Sequence, residues 1–443
     1  MSESEFTVYR LRWYILGIYS LFASSQACIF NTWGPIAQSA KAGFGWSEAS
    51  VAWTNNIQII VSMLSVPASY AVFQKLGLRS TVVWSGSGAL ALGTLLRCVS
   101  MDPQILKITS FICSGLNGWS SIMIEGTLTV LSARWFPPGE RTTATGIIIG
   151  TQMAGLIPPS LLFPRLVTDP DSVVDLKSKT LSETIQGEVS TILYCEAGLV
   201  FLLFLIMVLY FPDSPPSPPS VTATVKRQNF MKGIRHILTN PKNVIAGLAF
   251  ACVTVPMMWI TVVNQNLQPF GLSQIETGYI GTSIIGISFI LNILNSRLSD
   301  VFYGNLKTVI SCFLTLSLGC SVWLALICLK IVSASKLGIF VSSICSMVAL
   351  RCIIALFYEL LMEINYPAPE SLVTLVWGQV GRIFVAVFLG MFSVIDGVTW
   401  MNYFLVGFTL LPLLLLLSVR MEYNRSETDQ GTRSSTPSLL QDS

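Results

Sequence analysis

Charge is what this sequence has least of. Asp, Glu, Lys and Arg make up 11% of its 443 residues, against about 25% in a soluble domain. A water-facing surface of this size cannot be covered with so little charge, so most of the molecule must have lipid as its solvent. A net charge of +3, with no basic run of five or more, argues against a nucleic-acid binder. Histidine is nearly missing as well. His236 is the only one, which removes most metal sites and Ser-His-Asp chemistry and leaves it as a solvated loop residue. The ten cysteines form no CxxC pair and most fall singly in apolar runs, so they read as small hydrophobes, not a disulfide or metal framework. No Walker, HExxH or GxSxG pattern occurs. Neither an enzyme nor a bound metal or cofactor is expected, and ATP does not drive the protein directly.

What the sequence has is apolar length. Hydrophobic residues make up 52% of it, and the mean hydropathy is +0.66. Windows of about 19 residues predict twelve membrane helices, at 13–36, 50–73, 80–98, 107–131, 142–166, 190–211, 243–265, 274–298, 308–329, 337–361, 371–394 and 399–419. Helices are required because open strands leave unpaired backbone groups in lipid. Trp13 to Pro35 is long enough to cross a hydrocarbon core of about 30 Å and is followed by no clean cleavage site, so it reads as a first span and not a signal peptide. With the N-terminus in the cytoplasm, lysines and arginines divide 16 against 8 in favour of the cytoplasmic face, as the positive-inside rule asks. The predicted organisation is a cytoplasmic N-terminus (1–12), a six-helix bundle (13–211), a Pro/Ser-rich linker (212–242), a second six-helix bundle (243–419) and a polar, disordered cytoplasmic tail (420–443). Within the linker, NFMKGIRHIL (229–238) has the apolar spacing of a short amphipathic helix at the inner membrane surface.

Two loops repeat. WFPPGERTTATG (135–146) aligns with NYPAPESLVTLV (365–376), matching Phe136 to Tyr366, Pro137 to Pro367 and Glu140 to Glu370 at an offset of 230. QKLGLR (74–79) aligns with DVFYGNLK (300–307), matching Gly77 to Gly304 at an offset of 227. Two unrelated loop types sharing nearly one offset indicate a duplicated six-helix unit. This arrangement resembles the parallel repeats of the major facilitator fold. In that family the Gly77 and Gly304 loops carry an acidic residue, a glycine and trailing basic residues, and latch helix ends as the halves rock. Asp300 holds the acidic position of the second copy. Gln74 replaces it in the first, which predicts a latch there that is weaker, or built from hydrogen bonds in place of an ion pair.

GFGWSEAS, KLGLRSTV, GTLLRC, WFPPGERTTATG and FYELLMEINYPAPES narrow the match. Together they resemble the FLVCR-related solute carrier family 49, and NTWGPI and LYCEAGLV resemble its disrupted in renal carcinoma protein 2 branch. The resemblance implies a secondary transporter of small organic solutes. Heme and choline are ascribed to some members, and the branch is linked to proton-driven export of pyridoxine from lysosomes. It therefore implies a monomeric multi-pass protein of the lysosomal membrane, or alternatively the plasma membrane, whose partners are lipid, protons and a small solute. Leu439-Leu440 resemble a dileucine sorting signal but lack the upstream acid. A non-transporting membrane receptor or scaffold is the rival of another class.

Solute sites in this architecture lie near midspan. A polar amide deep in a span faces the bundle interior, because lipid offers it no partner. The first helix offers Gln26, Phe30, Asn31 and Trp33 before the Gly34-Pro35 break; the seventh offers Trp259 and Asn264. Aromatic faces there can sandwich a flat ring or hold a quaternary ammonium, although Trp33 also fits an interfacial belt and Asn31 a plain helix–helix bond. Charges inside spans are Glu125, Glu196, Arg351, Glu359 and Arg382, which suit proton coupling or, alternatively, structural ion pairs. The gating set is Gln74, Gly77, Arg79, Glu140, Arg141, Asp300, Gly304, Lys307, Glu363 and Glu370. Pro137 and Pro138 stop one helix, and Thr142 or Thr143 can cap the next.

Overall fold

Apolar sequence this long satisfies its backbone by forming helices, and the computed structural model contains no strand among its described residues. Those residues are 7–170, 178–224, 229–267, 270–272, 274–301, 305–333, 335–395 and 399–431. Among them, nine helices are long and apolar enough to cross a membrane, or ten if the pair Glu48–Leu64 and Val66–Arg97, bent by 59°, is one span. Pro103–Trp135 adds a helix of 33 residues, about 50 Å at 1.5 Å per residue, whose polar groups lower its hydropathy. Gly77 divides the bent pair again. The helices are therefore consistent with the twelve predicted spans.

The chain forms two compact units. One comprises Arg10–Leu128 and Thr151–Asp213. Here α1 (Leu11–Phe30) ends just before the predicted Gly34-Pro35 break, and α2 (Ala37–Phe44) stops at Gly45, whose φ of 64° makes a left-handed cap. Ser47 caps α3 (Glu48–Leu64) by accepting the Ser50 N–H. In α4 (Val66–Ser80), Gly77 is non-helical at φ 74°, ψ −176°, at the predicted joint between the second and third spans. A π-helical stretch, Thr81–Ser87, leads into α5 (Gly88–Arg97), followed by α6 (Pro103–Trp135), α7 (Arg141–Ala154), α8 (Phe163–Leu166) and α9 (Ser178–Leu209). The helix α9 begins at Ser178 and not near 190 as predicted, because hydropathy windows register contact with lipid and miss a helix whose first turns are polar. Its early apolar residues, Ile185 and Val189, join an apolar core with Trp33, Phe44, Trp46 and Phe163. Close crossings need small residues: Gly118 lies against the Gln58 carbonyl and Gly155 against the Ser24 carbonyl, with no room for a β-carbon at either.

The second unit comprises Met1–Tyr9, Thr129–Gly150 and Ser214–Ser443. It gathers the ends of α6 and α7 with α10 (Val221–Thr224), α11 (Phe230–Thr239), α12 (Pro241–Thr254), α13 (Val263–Leu267), α14 (Gln274–Val301), α15 (Leu306–Cys328), α16 (Lys336–Cys352), α17 (Ile354–Asn365), α18 (Glu370–Val394), α19 (Thr399–Ser418) and α20 (Asn424–Asp429). Phe250 of α12 packs against Phe357 and Tyr358 at 5.9 and 5.0 Å between ring centroids. The Trp377 ring covers Gly247 so closely that no side chain fits there. The predicted amphipathic helix is α11. It buries Gly233 and Ile237 and packs against α12 and α18, while Phe230, Met231 and Leu238 are exposed.

Two expectations change. The linker is not wholly free: Ser220 and Thr222 are buried and hydrogen-bonded. The tail, predicted to be disordered from Glu422, instead forms α20 with Arg425, Ser426 and Thr428 buried. Its polar composition conceals this because Arg425 and Ser426 find carboxylate partners in α17, at Glu359 and Glu363. Leu439-Leu440 lie outside the described residues.

Candidate functional site

Midspan amides converge in the first unit. Gln26 of α1, 3% exposed, accepts a hydrogen bond from Gln152 Nε2 of α7 at 3.2 Å. Asn117 of α6 donates from Nδ2 to the Gln26 carbonyl at 3.3 Å and to Gln58 Oε1 of α3 at 2.9 Å. Its own Oδ1 is buried with no hydrogen-bond partner among the described residues. Asn31 donates to Ser160 Oγ at 3.3 Å, and Phe30 is half-buried at the end of α1. Four helices thus direct amides into one layer of an apolar bundle, where bonds to each other or to a polar solute are their only satisfaction. Trp33 sits elsewhere. It is packed 4.6 Å from Trp46 and 6.3 Å from Phe44 in the apolar core.

Glu196 is engaged from three sides. Arg97 Nη2 of α5 lies 2.9 Å from Glu196 Oε2, with side chains 2% and 7% exposed. Thr32 Oγ1 donates to Oε1 at 2.8 Å, and Cys28 Sγ approaches it at 3.7 Å. The longer α9 places Glu196 well inside its helix, where the shorter predicted span had put it near an end. The carboxylate joins α1, α5 and α9 as a structural ion pair. Glu125 is half-buried along α6.

In the second unit, Trp259 lies in a 3₁₀ stretch, Pro256–Val262, that interrupts the seventh span. It is 1% exposed, and its indole N–H has no partner among the described residues. Asn264 belongs to α13, but its side chain is outside the described residues. Asn266 and Asn402 bond each other through 2.8 and 3.2 Å contacts between α13 and α19. Arg351 is half-buried in the last turn of α16. Arg382, also half-buried, donates from Nε to Gln379 at 3.1 Å.

The gating residues form two sets. In the first unit Gln74 is exposed, and the missing carboxylate comes from Asp213, which accepts the Arg79 N–H at 2.9 Å and lies beside Gly77. The second unit holds a denser network. Asp300 accepts the Thr142 and Thr143 N–H groups at 3.2 and 2.7 Å and the Thr143 hydroxyl at 2.5 Å. Thr142 and Thr143 therefore do not cap α7 themselves; their free N–H groups are satisfied by Asp300, whose charge also complements the helix dipole. Arg141 donates to Asp429 at 3.0 Å, to Ser220 at 2.6 Å and to Thr222 at 3.1 Å. Glu359 pairs with Arg425 at 3.1 Å, and Glu363 accepts the Ser426 N–H and hydroxyl at 3.0 and 2.7 Å. Glu370 stands 3.9 Å from Arg425, and Glu140 is half-buried. Lys307 donates to the Val419 carbonyl at 2.6 Å. Gly304 is outside the described residues.

Sequence reasoning missed Gln58, Asn117 and Gln152, although the rule that selected Asn31, a midspan amide, would have found them. It also missed Arg97, together with Asp213, Arg425 and Asp429, which carry no local signal because their partners are distant in sequence.

Comparison with known proteins agrees with this architecture. The family model described as Major Facilitator Superfamily matches residues 15–365. The Solute carrier family 49 member 4 homolog of Xenopus tropicalis is 29% identical over 442 residues, covering 95% of this chain and 94% of that protein. The Choline/ethanolamine transporter flvcr2a of Danio rerio is 20% identical over 454 residues, covering 97% and 91%. The crystal structure of the E. coli fucose:proton symporter FucP shares the fold with a TM-score of 0.71 at 12% identity, covering 92% of this chain and 99% of that one. The relatives it resembles over most of its length carry the solute carrier family 49 name or that of a choline/ethanolamine transporter, and the chain itself belongs to the major facilitator superfamily.

Proposed function

We propose that this membrane transporter is a proton-coupled carrier of a small, polar, ring-bearing solute, with pyridoxine as the leading candidate, working by alternating access in the lysosomal membrane with its termini in the cytoplasm. The observation that carries the reading is the amide layer of Gln26, Gln58, Asn117 and Gln152, in which Asn117 Oδ1 has no partner among the described residues. Such a layer recognises hydroxyl and ring-nitrogen groups, and a solute lacking them leaves buried polar atoms unpaired. In the second unit, considered by itself, Trp259 is a separate aromatic candidate whose indole N–H has no partner among the described residues. We assign proton coupling to Glu125, a carboxyl group half-buried along the membrane-spanning helix α6.

Choline is the second reading, favoured by the likeness to the choline/ethanolamine transporter of Danio rerio and by the affinity of aromatic faces for quaternary ammonium groups. Heme is disfavoured, because the sole histidine lies in α11. Uptake of labelled pyridoxine and choline by cells expressing the protein at their surface, at acidic and neutral pH, decides between them. Pyridoxine flux that rises at acidic pH and loses that dependence in Glu125→Gln is expected. No pH-dependent pyridoxine flux above background sinks the proposal, and choline flux in its place selects the second reading.

A further inference from the structure

The segment with the least apolar composition is folded deepest into the charged network of the second unit. Arg425 is 1% exposed, and a guanidinium is buried only where carboxylates and hydrogen bonds offset its desolvation. It meets Glu359 at 3.1 Å and Glu370 at 3.9 Å. One residue on, Ser426 gives both its N–H and its hydroxyl to Glu363. At the other end of α20, Asp429 accepts the Thr222 N–H at 2.9 Å and pairs with Arg141 at 3.0 Å. The two ends of this six-residue helix therefore hold different loops. Arg425 and Ser426 hold α17 and the start of α18, on either side of the 365–376 joint. Asp429 holds Arg141, at the start of α7 in the 135–146 joint, and α10 of the linker. These are the two joints that the internal repeat pairs.

We propose that α20 is a bolt of the inner gate, with Arg425 and Asp429 as its positioning residues. While docked it ties the two repeat-related joints together, and one end must withdraw before this side of the transporter opens. The proposal rests on reading those joints as moving parts, but not on the identity of the solute.

Hydrogen–deuterium exchange of the full chain in nanodiscs tests it without any solute, so an absence of pyridoxine flux leaves the readout intact. Arg425→Gln is expected to speed exchange about tenfold or more at 426–430, as loss of a charged hydrogen-bonded partner predicts. The same rise should reach the Thr222 amide and the 142–145 turn, with α15 unchanged. Arg425→Lys should recover part of the protection. Asp429→Asn, a milder change, should loosen Thr222 and 142–145 even if Arg425→Gln folds poorly. A rise confined to α20, or no rise, overturns the bolt; so does a rise spreading through α15 and α16, which marks general support of the fold.

Discussion

The Arg97–Glu196 pair gives the sharpest test of how this structure uses its buried charge. Replacing Arg97 with Met leaves the Glu196 carboxyl group among apolar helices without its guanidinium, with Thr32 and Cys28 as its remaining neighbours. Because the two side chains are 2% and 7% exposed, solvent screening does not soften the loss, and breaking such a pair costs about 3–5 kcal/mol. Glu196→Gln should cost a similar amount, because it strands the Arg97 guanidinium, whose Nε already lacks a partner among the described residues. The double variant strands no charge. Its cost should fall below that of either single change, since neutral replacement of a buried pair is often nearly neutral. The assay is the denaturant midpoint of purified protein in detergent, read by tryptophan fluorescence for the wild type, both singles and the double. Additive costs, with a coupling below about 0.5 kcal/mol, would refute the ion-pair reasoning. Flux adds a second criterion. If Glu196 carried the coupled proton, the double variant would be stable yet insensitive to pH; as a structural tie, it should regain pH-dependent transport.

Three further outcomes follow from the packing. Gly155→Ala drives a methyl group into the Ser24 carbonyl of α1, and since backbone cannot rotate away, about 1–3 kcal/mol of stability should be lost, visible as a lower thermal midpoint. Asp213→Ala removes the acceptor of the Arg79 N–H beside Gly77; solvent access holds the loss near about 1 kcal/mol, but the loop amides should exchange faster while α9 stays protected. Burial lowers the His236 pKa below its ordinary value, so at acidic pH the unfolded chain binds more protons than the folded one. The contribution of His236 to stability is therefore fully present above about pH 6.5 and is lost as pH falls from there through its lowered folded value. Loosening of α11 on acidification, reduced in His236→Gln, should appear in pH-resolved proteolysis of the linker.

Much of the fold was legible in the sequence because lipid imposes simple rules. Scarce charge and long apolar runs meant helices, and the shared offset of the Gly77 and Gly304 loops and the two proline joints meant a duplicated bundle. The break at Gly77 and the helix α11 could be read locally, since a left-handed glycine and an amphipathic period are properties of adjacent residues. The edges of that legibility were also physical. Hydropathy reports lipid contact, so it missed the polar first turns of α9 and treated the tail as solvent-exposed. Gln26, Asn31 and Trp259 were identifiable as polar or aromatic groups inside spans, but which groups meet was not, and Trp33 went to an apolar core. By itself, the sequence determined the helical membrane class and the repeat, and it named part of the buried polar set, Gln26, Glu196 and Asp300 among them. Only the tertiary structure decided that Glu196 is tied to Arg97, that Asp213 supplies the carboxylate missing at Gln74, and that Arg425 and Asp429 reach Glu359 and Arg141. Such pairings depend on groups distant in sequence meeting across the fold, and no local pattern encodes them.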